Sequence, residues 1–344
     1  MIKYLVLVCS ATALGMTVPL TSSPARAMTL DGVFVLERVF DDYPNSTLSV
    51  TNAYPTQVQF QESVFGERVG AFANRHDALF SDDGGTSPRT FDIEEPFDVR
   101  AKVILDDGSD TPRKEAGIRI NSPNTGDVLF IVNSDAGEIV AFGGGGPFHI
   151  FGKNATGDGY TPGQTIFMRM IYQPNSNTPE DPGTLEYIIN RGNGVETSGP
   201  LAFDNLEKGP VDFQVGLYAQ TTPNDPVADF SIVTYTNIAG NDGNTTLGDV
   251  NLDGAVNGLD VNPFIERVLN GPYQVEADVN EDGFVDGLDV NPFVDAIVGL
   301  EPAAEARVVP EPATAALAGV GMVVLVGCFW SRQRPRAGPG RGSP

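Results

Sequence analysis

One stretch of this chain is written twice. The first copy reads Asp249-Val-Asn251-Leu-Asp253-Gly254-Ala255-Val-Asn257-Gly258-Leu259-Asp260, and the second reads Asp278-Val-Asn280-Glu-Asp282-Gly283-Phe284-Val-Asp286-Gly287-Leu288-Asp289, an offset of 29 residues from 249 to 278. Oxygen-bearing side chains recur at loop positions 1, 3, 5, 9 and 12, with Gly at 6. That spacing suits Ca²⁺, which takes roughly 6–8 oxygen ligands at about 2.3–2.6 Å from a 12-residue loop. Position 7 contributes only its backbone carbonyl, so its side chain is free to vary. It is Ala255 in one copy and Phe284 in the other. The expected ligands are therefore Asp249, Asn251, Asp253, Ala255, Asn257 and Asp260, then Asp278, Asn280, Asp282, Phe284, Asp286 and Asp289, holding two Ca²⁺ ions. Without metal, each loop would crowd several carboxylates together against their mutual repulsion.

Each loop runs into a predicted helix. Val261, Phe264, Ile265, Val268 and Leu269 recur at helical spacing, and Val290, Phe293, Val294, Ile297 and Val298 repeat the pattern. Each set makes one apolar stripe, expected to pack against the other. Pro263 and Pro292 must then lie near the helix starts, where a missing N–H costs least. The Gly/Asn/Thr-rich stretch before the first loop and Gly271-Pro272 between the copies argue against an entering helix.

Two Ca²⁺ loops with Asp at position 12, each followed by one helix, resemble a type I dockerin over about residues 247–300. The resemblance implies a docking module that binds a cohesin-like partner. In that family the contacts lie along the helices and at loop positions 10 and 11, which here are Gly258-Leu259 and Gly287-Leu288.

Residues 1–27 read as a cleaved secretory leader. Lys3 gives the positive start, Tyr4–Met16 is mostly apolar, and Ala25-Arg26-Ala27 is a small-residue cleavage site. The chain's only cysteines, Cys9 and Cys328, fall in apolar terminal segments. An exported body would therefore have no disulfide framework, no Cys nucleophile and no Cys-ligated zinc. A formal net charge of −24 argues against nucleic acid, which needs clustered Lys and Arg.

Residues 29–238 read as an antiparallel β-sandwich, a jelly roll. Phe97, Val99, Ala101, Val103 and Leu105 alternate with mostly polar residues, predicting a half-buried strand. Similar runs are Val33–Arg38, Gln57–Gln61, Ala116–Asn121, Val128–Asn133, Glu138–Phe142, Ile166–Tyr172, Thr184–Asn190, Phe213–Gln220 and Asp229–Asn237. Gly/Pro/Asn turns separate them, and no long helical period intervenes. From Phe91 to Asn237 the order of strands is similar to concanavalin A-like and laminin G-like domains. That family includes glycan-binding modules, adhesion modules and glycoside hydrolases.

Glycoside hydrolysis needs two carboxylates about 5–9.5 Å apart. No Glu-x-Asp-x-Glu string occurs, and Asp92-Ile-Glu94-Glu95 reads as a solvated loop before Pro96. His76 is expected in a loop, His149 in a strand, and Gly143–Gly146 in a tight turn. Asp135, Asn154 and Tyr160 are candidate glycan-site residues at loop tips. On these grounds the sandwich is expected to be non-catalytic and to bind carbohydrate. A polysaccharide-degrading enzyme and a purely structural envelope protein are the alternatives.

A linker at 239–246 and a spacer at 301–308 would flank the two-loop module. Pro310-Glu311-Pro312 is followed by an 18-residue uncharged run, Ala313–Trp330, and then by Arg332, Arg334 and Arg336. That run is close to the minimum for a membrane helix, with its basic end on the cytoplasmic side. The order of motif, helix and Arg cluster over 309–337 resembles a PEP-CTERM sorting signal. It implies an exosortase-type processing enzyme and a final place at the envelope exterior. The expected fold class is thus mainly β: a sandwich, a small α-helical two-calcium-loop module and a C-terminal transmembrane helix.

Overall fold

The computed structural model describes residues 30–122, 126–176, 178–203, 212–241, 243, 246–253, 255–271 and 273–299. The leader, the spacer, the Pro310-Glu311-Pro312 motif and the 313–330 helix lie outside the described residues. Among the described residues no helix is long and apolar enough to cross a membrane.

Two antiparallel sheets face each other. The seven-stranded sheet has the spatial order β1 (Gly32–Asp41), β4 (Asn74–Ser81), β14 (Gln214–Thr221), β6 (Glu115–Ser122), β7 (Gly126–Asn133), β8 (Ile139–Phe142) and β9 (His149–Gly152). The eight-stranded sheet runs β12 (Val195–Thr197), β11 (Thr184–Asn190), β10 (Thr165–Gln173), β5 (Phe97–Asp107), β15 (Phe230–Asn241), β3 (Gln57–Ser63) and β2 (Thr47–Ala53), with β13 (Leu201–Ala202) paired to β11. Because side chains alternate across a strand, each sheet sends one face inward. Val99, Ala101, Val103 and Leu105 from β5 meet Ala116, Ile118 and Ile120 from β6 in one continuous core. Fully burying each such side chain contributes on the order of 1.5–3 kcal/mol, less for alanine. Tyr235 crosses this core from β15, and its hydroxyl accepts the Gly117 N–H at 3.0 Å.

The mainly β, antiparallel architecture follows the sequence pattern, and Gly143–Gly146 closes a tight turn, with Gly146 N–H donating to the Gly143 carbonyl at 3.0 Å. Four features differ. Asn74–Ser81, expected as a loop around His76, is β4, an interior strand buried at every residue. Most of its polar groups are paired on one side of the sheet or the other, so its composition hides its position. On the inner side His76 stacks on Phe60 at 5.4 Å and its Nε2 lies 3.1 Å from Glu62 Oε2. β5, expected to be half-buried, is buried on both faces over most of its length, because a loop of the neighbouring module covers its outer side. β15 continues to Asn241, through an irregularity between Thr236 and Ala239, so the expected 239–246 linker begins as strand over 239–241. The edge strand β2 carries only the short alternation of Leu48 and Val50, with Val50 packed against the core, and is not among the expected strands.

Gly117 is a packing requirement of this sheet. A Cβ built there would stand 2.1 Å from the Phe130 carbonyl oxygen, and a backbone atom cannot swing aside. Gly117→Ala is expected to lower stability by about 1–3 kcal/mol through overpacking, read as a fall in the urea midpoint at unchanged slope.

Candidate functional site

The repeated loops adopt one geometry twice. In the first, Asp260 Oδ1 accepts the Asn251 N–H at 3.0 Å and Oδ2 accepts the Asn257 N–H at 2.9 Å. In the second, Asp289 does the same for Asn280 at 3.1 Å and Asp286 at 2.9 Å. Position 12 therefore pulls the whole turn around itself. Asp249 Oδ1 and Asn251 Oδ1 both accept the Asp253 N–H, at 3.0 and 2.8 Å. Asp278 and Asn280 treat Asp282 identically, both at 3.0 Å. Asp253 and Asp282 in turn accept N–H groups from Ala255 at 3.0 Å and Phe284 at 2.9 Å. Asn257 and Asp286 accept those of Leu259 and Leu288, at 2.8 and 2.7 Å. The side chains at 1, 3, 5, 9 and 12 are thus fixed by the loop's own backbone.

Asp260, Asp278 and Asp289 are completely buried, and Asp249 nearly so. Burial pushes the Asp278 carboxyl up to about 6, opposed by a hydrogen bond from Tyr273 and by Arg100. Burial also raises Asp289, and the neighbouring Asp282 and Asp286 raise it further. No ion pair to Asp260 or Asp289 is formed among the described residues. Buried carboxylates without a counter-charge are costly, and an all-oxygen donor set of this spacing matches the demand of Ca²⁺. The residues therefore fit the ion. No group of three or more His, Cys, Asp or Glu is gathered as a metal cage among the described residues.

Each loop enters a helix as expected: α1 (Val261–Asn270) and α2 (Val290–Val298), with Pro263 and Pro292 in the first turn. Phe264 and Phe293 stack at 3.8 Å between centroids and anchor a small core with Val250 and Ala277. The two stripes meet only in part. Leu269 is 67% exposed and Val298 57%, leaving an apolar groove of about 330 Å³ between the helices. The expected partner-contact positions are open: Leu259 and Leu288 are each 68% exposed, and a Cβ at Gly258 or Gly287 would meet nothing.

The glycan candidates named from the loops separate. Asp135 and Asn154 are exposed on adjacent loops, joined by the Asn154 N–H to the Ala136 carbonyl at 3.0 Å. Tyr160 is buried in the core, with its hydroxyl donating to the Gln164 carbonyl at 2.8 Å, and is withdrawn as a surface residue. His149 sits in edge strand β9, as expected. Asp92 and Glu95 close a local turn, the Asp92 N–H donating to Glu95 Oε2 at 3.0 Å.

A polar cluster on the outer face of the seven-stranded sheet is not announced by any local motif. Arg75 donates to Asp77 at 3.2 Å and to Asp127 at 2.6 Å. Arg119 donates to Asp127 at 2.9 Å and also to Asp77. The four side chains close a ring across β4, β6 and β7. Burial pushes Asp77 up to about 6 against the pull of Arg75. Tyr218 lies beside the ring, under the Arg75 guanidinium at 4.9 Å, and its hydroxyl donates to Glu115 at 2.7 Å. Burial first, then Glu115, raises the Tyr218 hydroxyl far above its ordinary value, so it stays protonated. Arg75 Nη2 and Arg119 Nε remain without hydrogen-bond partners among the described residues. Alternation could have found this cluster only if Asn74–Ser81 had been read as a strand.

Solved structures similar to the sandwich include the alginate lyase from Klebsiella pneumoniae, at 10% identity and a TM-score of 0.41 over 62% of this chain and 96% of that one. The alginate lyase from Corynebacterium sp. matches at 12% and 0.39 over 56% and 79%. Basic winged bean lectin matches at 12% and 0.33 over 60% and 97%. At these values the resemblance is one of sandwich architecture and reaches no further. Because lyases stand beside lectins among the matches, the expectation of a non-catalytic chain is withdrawn. That expectation rested on a missing carboxylate string that only one kind of enzyme needs. No curated protein sequence matches the chain. Residues 247–292 match the Dockerin type I domain, a calcium-binding family, and they include both repeated loops, so the chain carries a type I dockerin domain.

Proposed function

We propose that this chain is an exported docking protein whose dockerin domain binds two Ca²⁺ ions and attaches a polysaccharide-engaging sandwich to a cohesin-like partner. The observation that carries the reading is the pair of identically built loops, with position-12 carboxylates buried and, among the described residues, held by loop N–H groups. Calcium supplies the missing charge when bound. The chain's own residues hold the loops open to it, and they orient α1 and α2 so that Leu259, Leu288 and the groove face outward. Residues 1–27 export the chain. The Pro310-Glu311-Pro312 segment with its 313–330 helix is read by an exosortase-type enzyme and delivers the body to the envelope exterior.

Polysaccharide would lie across the outer face of the seven-stranded sheet. Asp127, the partly exposed member of the ring, offers hydroxyl-rich chains a carboxylate acceptor held in place by the buried Arg75 and Arg119. The Tyr218–Glu115 hydrogen bond favours a second reading, a polysaccharide-degrading enzyme, because it joins a protonated hydroxyl to a carboxylate, the two halves of general acid–base chemistry. A panel of neutral and uronate polysaccharides incubated with the full chain tests both. Retention on one of them without new chain ends supports binding, and release of shortened products supports degradation. Asp127→Asn, checked for unchanged melting, is expected to weaken the interaction at least about 10-fold, the scale of losing one hydrogen bond to a charged group. A panel with neither retention nor products contradicts the assignment of this face.

A further inference from the structure

The two loops match in sequence but not in surroundings. The second lies on the outer face of the eight-stranded sheet. Arg169 from β10 makes a two-point contact with Asp98, at 2.9 and 2.8 Å, and reaches on to Glu281 of the loop at 2.6 Å. Arg100 from β5 supports the same Asp98 at 2.6 Å. Asn190 from β11 donates to the Asp282 carbonyl at 3.0 Å, and Asn237 from β15 donates to the Gly283 carbonyl at 3.2 Å. Lys102 sits over the Phe284 ring at 2.9 Å. Gly283 lies so close to Phe167 that a Cβ there would stand 2.3 Å from its ring. Four adjacent strands thus present side chains to one loop, which explains the burial of Asp98, Arg100, Lys102 and Arg169 on what would otherwise be a solvated face.

The charge pattern is complementary. In a chain of net charge −24, three cations stand on neighbouring strands beneath a loop that carries Asp278, Glu281, Asp282 and Asp286. The docked segment, Glu281 to Phe284, covers loop positions 4 to 7 and so includes the expected ligand positions 5 and 7. Two of its carbonyls are fixed from below by Asn190 and Asn237, so the path that the loop must take around an ion is already set by the sheet.

We propose that the outer face of the eight-stranded sheet is a receptor in cis for the second calcium loop, so that ion binding there and seating of the dockerin domain on the sandwich are one linked equilibrium. The seat preorganises the loop for its ion, and the ion holds the loop in the shape that fits the seat. Calcium then sets whether the two modules move as one body. The two sites differ in affinity, although their ligand patterns are alike. This inference rests on the calcium reading of the loops.

The test is calcium titration of the full chain by calorimetry, comparing wild type with Arg169→Gln and with Glu281→Gln. Neither residue is an expected ligand. The two changes have opposite direct effects on a nearby cation, since one removes a positive charge and the other a negative one. Linkage predicts that both weaken the second site, by about 5-fold or more, the lower end of ordinary coupling between sites. The first site is unchanged in each. Simple electrostatics instead predicts tighter binding in Arg169→Gln and weaker binding in Glu281→Gln, and that pattern overturns the proposal. Two intact calcium sites insensitive to both substitutions also overturn it, while leaving the calcium assignment standing. Absence of calcium binding in wild type overturns the calcium reading itself.

Discussion

Stripped of calcium, the full chain is expected to lose α1 and α2 while the sandwich stays folded. The helices are 10 and 9 residues long. Isolated helices shorter than about 12–15 residues are marginal in water. Their shared core is small, resting on Val250, Phe264, Ala277 and Phe293, and the stacked phenylalanine pair adds only about 0.5–1.5 kcal/mol beyond its burial. Against this stand the carboxylates at position 12, Asp260 and Asp289, buried with no ion pair among the described residues once the ion is gone. The sandwich core is a separate cluster and shares none of these residues. Amide hydrogen exchange reads the difference directly. Protection in residues 261–270 and 290–298 should vanish in chelator and return with calcium. Protection in β5, β6, β14 and β15 should persist. Equal protection of the helices in both conditions would show that packing alone holds them.

The combined substitution Asp260→Ala with Asp289→Ala should have the next largest effect. Each aspartate serves two loop N–H groups as well as its expected ion, so its loss removes a ligand and also frees the turn that positions the others. Losing even an outer-shell partner of a metal typically costs about 10–100-fold in affinity. Losing position 12 should cost at least that at each loop, measured by calorimetric titration of the full chain. The single variants should each silence one site and spare the other. Affinity unchanged in the double variant would remove position 12 from the ligand set.

How much of this was legible in the sequence depended on where the physical constraint acts. The calcium loops were readable residue by residue, because a 12-residue coordination geometry is local and each ligand is placed by neighbours within the loop. Most strands were readable for the same reason: a core-facing alternation such as Phe97 to Leu105 is carried by consecutive residues. Asn74–Ser81 was not readable. Arg75, His76 and Asp77 look like a solvated loop until their partners are known, and those partners, Glu62, Arg119 and Asp127, lie up to 52 residues away. The same holds for Asp98, Arg100 and Lys102. They were legible as the polar side of a strand, yet their burial depends on Glu281 and Phe284, which arrive from the other end of the chain. Tyr160 illustrates the opposite error, since an aromatic after a glycine-rich turn reads as a surface ligand contact until its hydroxyl is found closing a core hydrogen bond. Function followed the same division. The docking module declares itself through a local motif. The polar ring on the seven-stranded sheet, assembled from three strands, declares itself only in the fold.

The central claim is that the repeated loops are two calcium sites on which the attachment role depends. Native mass spectrometry of the full chain in calcium buffer tests it most directly. Two bound ions are predicted in the wild type and none in the variant carrying Asp260→Ala with Asp289→Ala. A wild-type chain that retains no calcium, or a double variant that retains both ions, would contradict it.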